Sequence, residues 1–583
     1  MTFFIAYRGA PNGAQDWENR CRSVARNRRE SIHVATRNLP NGETFLYGWI
    51  GKNAAPLEAQ VREGPGRVHL STLPIETASG EPETYRSATL TVDLTDATVG
   101  ISAPVTSPEQ LFYAQRDGNL VISSDCRLLL QPGWTLNPAA VFAVLQYGAI
   151  PAPLAIARDV KRVPPGQSVT IASAGRESIR RFVWNPGAAQ IPDSMASEEV
   201  RRRLARVFPV PGGTPIALLF SGGVDSTLLA DQLARDRHSD VTLVNYAFSD
   251  DDPESAIAEK VAAHYGYPFM RILHDDGSID HVLARVGAEY SYPFGDVSTL
   301  PTNAMIHAAI GRISPDSLVI EGTGADAIFG LTKRLALWRR FTSVPGLVRQ
   351  AAAAAYKGFG MWRHDGPVRK VCWLMRTRSQ MPLIEASVMS QNSLDGIAYQ
   401  IPEDDGQTLA AAIHDSYIGA VDGHEFDVAA SMANLMHRCS GYCVAKSFDP
   451  IRSAGLRVLY PFLTSPIVDL AALMPVSSKY RDGADKYVLK AILKESLPGN
   501  LMDRPKAGFE PPMARYLRMP TFRAYLEDVV FDPHNPVLDY VDAGMARRMI
   551  EYSGQHDLTN REVHNYLWSL TFLSAWVNAH ATP

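Results

Sequence analysis

Ser221-Gly222-Gly223-Val224-Asp225-Ser226-Thr227 follows an apolar run, Pro215–Phe220, and opens a helical stretch, Leu228–Leu233. Two adjacent glycines permit positive φ and a close backbone approach to a ligand. The loop amides and the helix N-terminus would face an anion, so the segment reads as a phosphate cradle. The Ser221, Ser226 and Thr227 hydroxyls add donors. Asp225 is an acid in a phosphate site, which makes sense only with a divalent cation such as Mg²⁺ between them. A second loop, Glu321-Gly322-Thr323-Gly324-Ala325-Asp326, follows the strand-like Leu318–Ile320. Ligands of open parallel sheets sit at the carboxyl ends of the strands. Both loops therefore belong on one edge, with Gly322 and Gly324 beside the ligand and Asp326 as a second carboxylate on the cation. The Gly-x-x-x-x-Gly-Lys-Ser/Thr spacing of γ-phosphate hydrolases is missing.

The elements that must position these loops alternate between strand and helix. Val241–Phe248, Phe269–Leu273 and Ser317–Glu321 read as further strands, with helices over Pro253–Tyr265 and Ser278–Tyr290. That alternation predicts a parallel sheet with helices on both faces. Residues 331–445 and 457–583 read as mostly helical. Residues 1–190 differ: short β-like runs (Phe3–Tyr7, Phe45–Ile50, Ala88–Val92, Gln110–Ala114, Leu120–Ser123) alternate with turns, and one helix, Asn137–Gln146, is capped by Asn137. A layered, mostly β unit is expected there. Residues 191–212 read as a linker helix whose Val200, Leu204 and Val207 share a face and whose arginines are solvated.

The chain has 583 residues, 46% hydrophobic and 20% charged, so wholesale disorder is excluded and several domains are expected. Its formal charge of −4 argues against a general nucleic-acid binder. Five cysteines in a chain of this length argue against a disulfide scaffold, and Cys439 and Cys443 read as buried structural thiols. No apolar run is long enough to span a membrane, and Met1–Gly13 lacks a signal-peptide pattern. A soluble, cytoplasmic protein is expected.

Ser221–Thr227 resembles the pyrophosphate-binding loop of the ATP pyrophosphatases, which cleave ATP to AMP and pyrophosphate. The second loop resembles the GxGxD-x-x-FGG segment of asparagine synthetases and their relatives, with Leu331 in place of the last glycine. The segment Asp485–Pro512 resembles the C-terminal signature of the same superfamily. By that resemblance ATP and Mg²⁺ are the cofactors, Asp225 and Asp326 hold the metal, and adenine lies near Phe220 and Ala247. Lys506 stabilises the charge that develops as the acyl-adenylate forms, and Lys486, 20 residues earlier, contacts phosphate. Arg457–Leu463 loosely resembles the family's R-x-P-x-L-D stretch, with longer spacing and Thr464 for the aspartate.

Pro108–Leu130, Tyr147–Pro151 and Val163–Gly166 resemble the family's N-terminal domain. The implied fold is an α+β Ntn-hydrolase-like, glutaminase-type sandwich over 1–190, the linker helix 191–212, and an α/β ATP-pyrophosphatase (adenine nucleotide alpha hydrolase-like) domain with large helical additions over 213–583. A glutaminase needs Cys at position 2 as its N-terminal nucleophile. The sequence reads Met1-Thr2-Phe3, so the glutaminase is expected to be inactive and the nucleophile to be an amine already on a substrate. Two relatives work that way. β-Lactam synthetases use a Tyr–Glu base dyad that has no match here, and Thr323 is a poor base. Lasso-peptide macrolactam synthetases join a peptide's N-terminal amine to an Asp or Glu side chain, and the wide helical stretch between Gly330 and Arg457 suits a peptide. The expected partners are a linear precursor (core) peptide, a leader peptidase and a leader-recognition protein. An ammonia-dependent asparagine synthetase and a small-molecule β-lactam-type ligase are the alternatives. Glu289 and His264 are the candidates for the base.

Overall fold

The computed structural model describes residues 3–52, 61–64, 66–71, 88–181, 190–208, 213–331, 335, 344–364, 367–368, 371–372, 375, 384, 389–392, 394–421, 424–501 and 511–581. In the first of these segments every residue of the strand Phe3–Gly9 is buried, because alternate side chains enter two different layers. Phe4 and Ala6 pack with Tyr47, Trp49, Val92, Ile101 and Val169 between two sheets. Ile5 and Tyr7 belong instead to the main core, on the side of Trp17 and Cys21 of the helix Pro11–Arg28; the helix Pro138–Tyr147 is part of the same core.

The first sheet has the order Lys161–Arg162, Phe112–Arg116, Asn119–Ser123, Phe3–Gly9, Thr44–Gly51, Ser31–Asn38. The second has the order Glu177–Arg181, Gln167–Ile171, Val99–Ala103, Thr89–Asp93, Arg67–Ser71, Val61–Gly64. Both are antiparallel throughout. The layered β reading of this region therefore matches the architecture. It missed the helix Pro11–Arg28, although Ala14, Trp17, Cys21 and Ala25 recur at helical spacing and all are buried. Asn137 does precede a helix, but its side chain makes no capping bond; Pro138 begins the first turn and the Asn137 amide pairs with Ile156 O.

The helix Ala196–Val207 buries Val200, Leu204 and Val207 as its spacing predicts. Its arginines are not simply solvated. Arg201 bonds Asp231, Glu495 and the Ile492 carbonyl, and Arg203 bonds Glu199 and the Pro466 carbonyl. These bonds tie the helix to three neighbours, Val224–Arg235, Tyr487–Lys494 and Ser465–Leu473.

The sheet that follows is wholly parallel. Its order is Phe269–Leu273, Val241–Ala247, Ile216–Leu219, Leu318–Ile320, Arg457–Leu459. The fifth strand falls where the sequence read as helical; three residues are too few to declare a period, and only pairing with Leu318–Ile320 makes them a strand. The chain runs outward from the first strand in one direction, then returns and runs outward in the other. The strand order thus reverses beside Ile216–Leu219, the position at whose carboxyl ends open parallel sheets form their ligand crevice. Each helix leaving a strand starts at this edge, and each helix leading into a strand also has its N-terminus here. Helices over Gly346–Gly358, Glu403–Ile413 and Phe426–Asn434 lie in the expected helical region. Among the described residues no helix is long and apolar enough to cross a membrane.

Candidate active site

The first strand ends at Leu219, and Phe220 keeps the register by donating its amide to Val244 O. Gly222 then takes φ +67°, and a Cβ there would lie 2.9 Å from the Ala258 backbone. Glycine is required on both counts. Gly223 precedes the helix Val224–Arg235, whose N-terminus has no side-chain cap. Ser221 Oγ accepts from the Gly223 amide (3.2 Å) and meets Ser226 Oγ (3.3 Å), which folds the loop on itself. Thr227 Oγ1 is buried there without a hydrogen-bond partner. An uncapped helix start under a glycine turn, with a spare buried hydroxyl, fits a phosphate.

Gly322 abuts this loop, since a Cβ on it would stand 3.5 Å from Asp225 Cβ. Gly324 has a different cause. Its φ is +110° and a Cβ would collide with Leu463 at 2.6 Å, so close packing against Leu463 requires that glycine. The helix Ala325–Phe329 buries Ala325, Ala327, Ile328 and Phe329 and leaves Asp326 exposed at the edge.

Asp225 and Asp326 come together, and between them stands Lys486. Its Nζ lies 2.7 and 2.6 Å from the two Asp225 oxygens and 2.6 Å from Asp326 Oδ1. Lys486 sits at φ +58° immediately before the helix Tyr487–Lys494, with its amide donating to Phe329 O. Burial opposes its charge, but the two carboxylates more than offset that and hold the ammonium above its usual range. The sequence reading gave Lys486 a phosphate; here its ammonium is held by the two proposed metal ligands. Two hard carboxylates reaching one cation position, beside a phosphate cradle, suit Mg²⁺, which takes few protein ligands and completes its shell with phosphate and water. Among the described residues no group of three or more His, Cys, Asp or Glu forms a metal cluster. Lys506 lies outside the described residues.

Phe220 and Ala247 are buried at adjacent strand ends. Beyond them Tyr246 OH lies 2.6 Å from His274 Nδ1, and Phe248 and Tyr516 rings pack on the same imidazole. The two candidate bases are elsewhere. His264 and Glu289 stand at the C-terminal ends of the helices Pro253–Tyr265 and Asp276–Glu289, hence at the opposite edge of the sheet. Glu289 is also occupied by His307 (2.8 Å) and Asn303 (2.7 Å).

On the other flank of the crevice is a polar group of which the sequence reading weighed Thr323 alone. Thr323 Oγ1 donates to Glu321 Oε1 (2.7 Å), and Ser447 Oγ donates to Glu321 Oε2. Tyr460 OH lies 3.0 Å from Ser447 Oγ. Burial pushes the Glu321 carboxyl above the ordinary carboxylate range, against the opposing pull of Lys446 and the two hydroxyls. Lys446 Nζ bonds Ser298 Oγ (2.9 Å) and approaches Asp296 (3.4 Å). Burial alone would raise Asp296, but Lys446 and Ser298 hold it below its usual range. The available signal was topological: Glu321 ends a strand, and Lys446 and Ser447 open a helix that leads into one.

In the sandwich, burial pushes the Cys21 thiol up to about 12, and the buried Cys126 higher still, so neither is an activated nucleophile. Cys439 and Cys443 lie in a π-helical segment, Leu435–Cys443, and burial pushes the Cys443 thiol up to about 11.

Comparison with known proteins places the chain among relatives. Asparagine synthetase [glutamine-hydrolyzing] 1 of Bacillus subtilis (strain 168) is 21% identical over 425 residues, covering 70% of this chain and 65% of that protein. A relative from Mycobacterium bovis is 21% identical over 457 residues, covering 75% of this chain and 66% of that protein. The chain thus spans just under two thirds of the length of these curated relatives. A solved glutamine phosphoribosylpyrophosphate amidotransferase from B. subtilis, complexed with ADP and GMP, aligns with 55% of this chain and 81% of its own at 11% identity, with a TM-score of 0.19. The asparagine synthase family model matches residues 200–578, which include the glycine loop, both aspartates and both lysines, and the chain belongs to the asparagine synthase family.

Proposed function

We propose that this chain is an ATP-dependent, AMP-forming amide ligase, and that its substrate is a linear precursor peptide which it closes into a lasso-type macrolactam. The observation that carries the ligase reading is the meeting of Asp225 and Asp326 at one cation position beside an uncapped glycine loop. In this reading the Ser221–Thr227 loop binds the phosphates of ATP, and Asp225 and Asp326 would hold Mg²⁺. The metal, when bound, neutralises charge on the phosphates. An Asp or Glu side chain of the peptide attacks the α-phosphorus, giving an acyl-adenylate and pyrophosphate. The peptide's own N-terminal amine then attacks the acyl carbon and expels AMP. Lys486 orients the two carboxylates, and Lys506 is assigned by family resemblance to the charge built at the departing pyrophosphate. The domain limits 1–190, 191–212 and 213–583, with an inactive glutaminase-like first unit, belong to the same proposal. So do a cytoplasmic location, a leader peptidase and a leader-recognition protein.

Two observations favour a substrate that carries its own amine. The sandwich cysteines are buried with raised thiols, and the described residues between Gly330 and Arg457 include the helices Gly346–Gly358, Glu403–Ile413, Phe426–Asn434 and Ala445–Ser453. The small-molecule alternative, an asparagine synthetase-like reaction with free ammonia, is favoured by the name of the B. subtilis relative. Co-expression with the neighbouring genes and mass spectrometry separates the two. A peptide lighter by one water, absent with Asp225→Ala, supports the macrolactam. AMP and pyrophosphate release with aspartate, and no dehydrated peptide, moves the assignment to the small-molecule ligases.

A further inference from the structure

The attacking amine must lose a proton, and both acceptors suggested by the sequence lie at the wrong edge of the sheet. Carboxylates flanking the crevice differ in what already holds them. Asp225 and Asp326 share the Lys486 ammonium, and Asp296 is held by Lys446 and Ser298. Glu321 is bonded by neutral hydroxyls, those of Thr323 and Ser447. A carboxylate offers about four lone-pair sites, so two hydroxyl donors leave room for an incoming N–H. With the Ser447 proton directed at Glu321, Tyr460 donates to Ser447 and fixes the chain of bonds from behind. Glu321 is partly exposed, and the next residue, Gly322, touches the phosphate loop at Asp225. The carboxylate therefore stands at the strand end that adjoins the place where an acyl phosphate would lie.

We propose that Glu321 is the catalytic base of the second half-reaction, with Ser447 and Tyr460 as its positioning residues. The inference rests on the ligase reading above. The amine nitrogen forms a C–N bond to the acyl carbon as the C–O bond to phosphate breaks. AMP leaves with that electron pair, and the proton on nitrogen passes to Glu321 Oε. The groups that face this carboxyl are Lys446 and Cys443 from the neighbouring helical segments, Asp296 from the turn before the helix Thr299–Ile310, and Tyr460 from the adjacent strand end. Its raised proton affinity brings it closer to neutrality, where a base works best.

The test uses the full chain, ATP and the linear core peptide found by co-expression, with pyrophosphate and cyclic product measured separately. Glu321→Gln is expected to lower amide formation by about 100-fold or more, while pyrophosphate release falls by less than about tenfold. Hydroxylamine, a nucleophile unprotonated at neutral pH, should still capture the acyl-adenylate as a hydroxamate. Wild-type amide formation should rise with pH through an apparent pKa above the ordinary carboxylate range, and Glu321→Gln should lose that limb. Equal loss of pyrophosphate and amide, or an amide rate and pH limb that survive the substitution, overturns the proposal. Should Glu321→Gln fail to fold by thermal melting, Glu321→Asp keeps a carboxylate one methylene shorter. It must lower amide formation more than pyrophosphate release, and an unchanged ratio overturns the proposal. A wild-type chain that releases no pyrophosphate with the peptide refutes the ligase reading itself, whatever Glu321 does.

Discussion

Around Phe3, Arg452 stacks 3.7 Å from the ring centroid, with Arg28 and Arg127 at 5.0 and 5.6 Å. Their carboxylate partners are Asp125, Asp449 and Glu109, and Asp125, Asp449, Glu109 and Arg452 are each at most 2% exposed. At the parallel strand ends the ingredients are similar, but Asp326 is 64% exposed and one lysine serves two carboxylates. The first knot joins the sandwich to the helix Ala445–Ser453, and its charges are consumed by one another. The second keeps a carboxylate open to solvent, where a cation can reach it. Buried, closed ion pairs specify how two layers dock; solvent-exposed ones are within reach of ligands. The same helix serves both ends, since its first turn carries Lys446 and Ser447 into the crevice and its last turn carries Arg452 into the knot.

Four substitutions would break or sharpen that contrast. Asp225→Ala removes one of the two cation ligands and should lower ATP-dependent product formation by about 10³-fold, equivalent to about 4 kcal/mol of transition-state stabilisation. Pyrophosphate release measures it, and a residual rate near wild type would remove Asp225 from the site. Arg452→Met leaves Glu109 and Asp449 buried without their cation and should cost about 3–5 kcal/mol in denaturant unfolding. A loss below about 1 kcal/mol would mean that the knot does not hold the layers together.

Lys479 tests the contrast inside the parallel half. It is buried behind the helix Ala325–Phe329 among Ile328, Val468 and Ala471. Burial pushes its ammonium down to about 8, with Asp427 opposing. The unfolded chain, with an ordinary lysine near 10.5, binds more protons between those values, so stability should rise as pH goes from about 8 to about 10.5. Lys479→Met should stabilise the chain by about 2–3 kcal/mol at pH 7 and should flatten that dependence. A destabilised Lys479→Met would show the ammonium to be fully compensated. The smallest effect is expected from Gly222→Ala. A side chain held at φ +67° and 2.9 Å from the Ala258 backbone should cost about 1–2 kcal/mol, read as a lowered Tm, with weakened nucleotide binding as the loop shifts. An unchanged Tm would show that the loop relaxes freely.

Local chemistry made much of this legible. The Ser221–Thr227 loop announced itself because two glycines, hydroxyls and an acid between an apolar strand and a helix have few other uses. Asp326 was found by the same logic, three strands further along the chain. Helix Pro11–Arg28 was legible but hidden by the β-rich pattern around it, and strand Arg457–Leu459 was too short to carry a period of its own.

What the sequence determined alone was the type of chemistry and the alternation that makes a parallel sheet, since both rest on residue identity and spacing within a few turns. The tertiary structure decided who meets whom. Lys486 reaches Asp225 from 261 residues away, and Ser447 reaches Glu321 from 126. It also sent Glu289 and His264 to the far edge, because a helix leaving a parallel strand carries its last turn back past the other end of the sheet. No local pattern encodes those distances; they follow from strand order, which only the packed sheet defines.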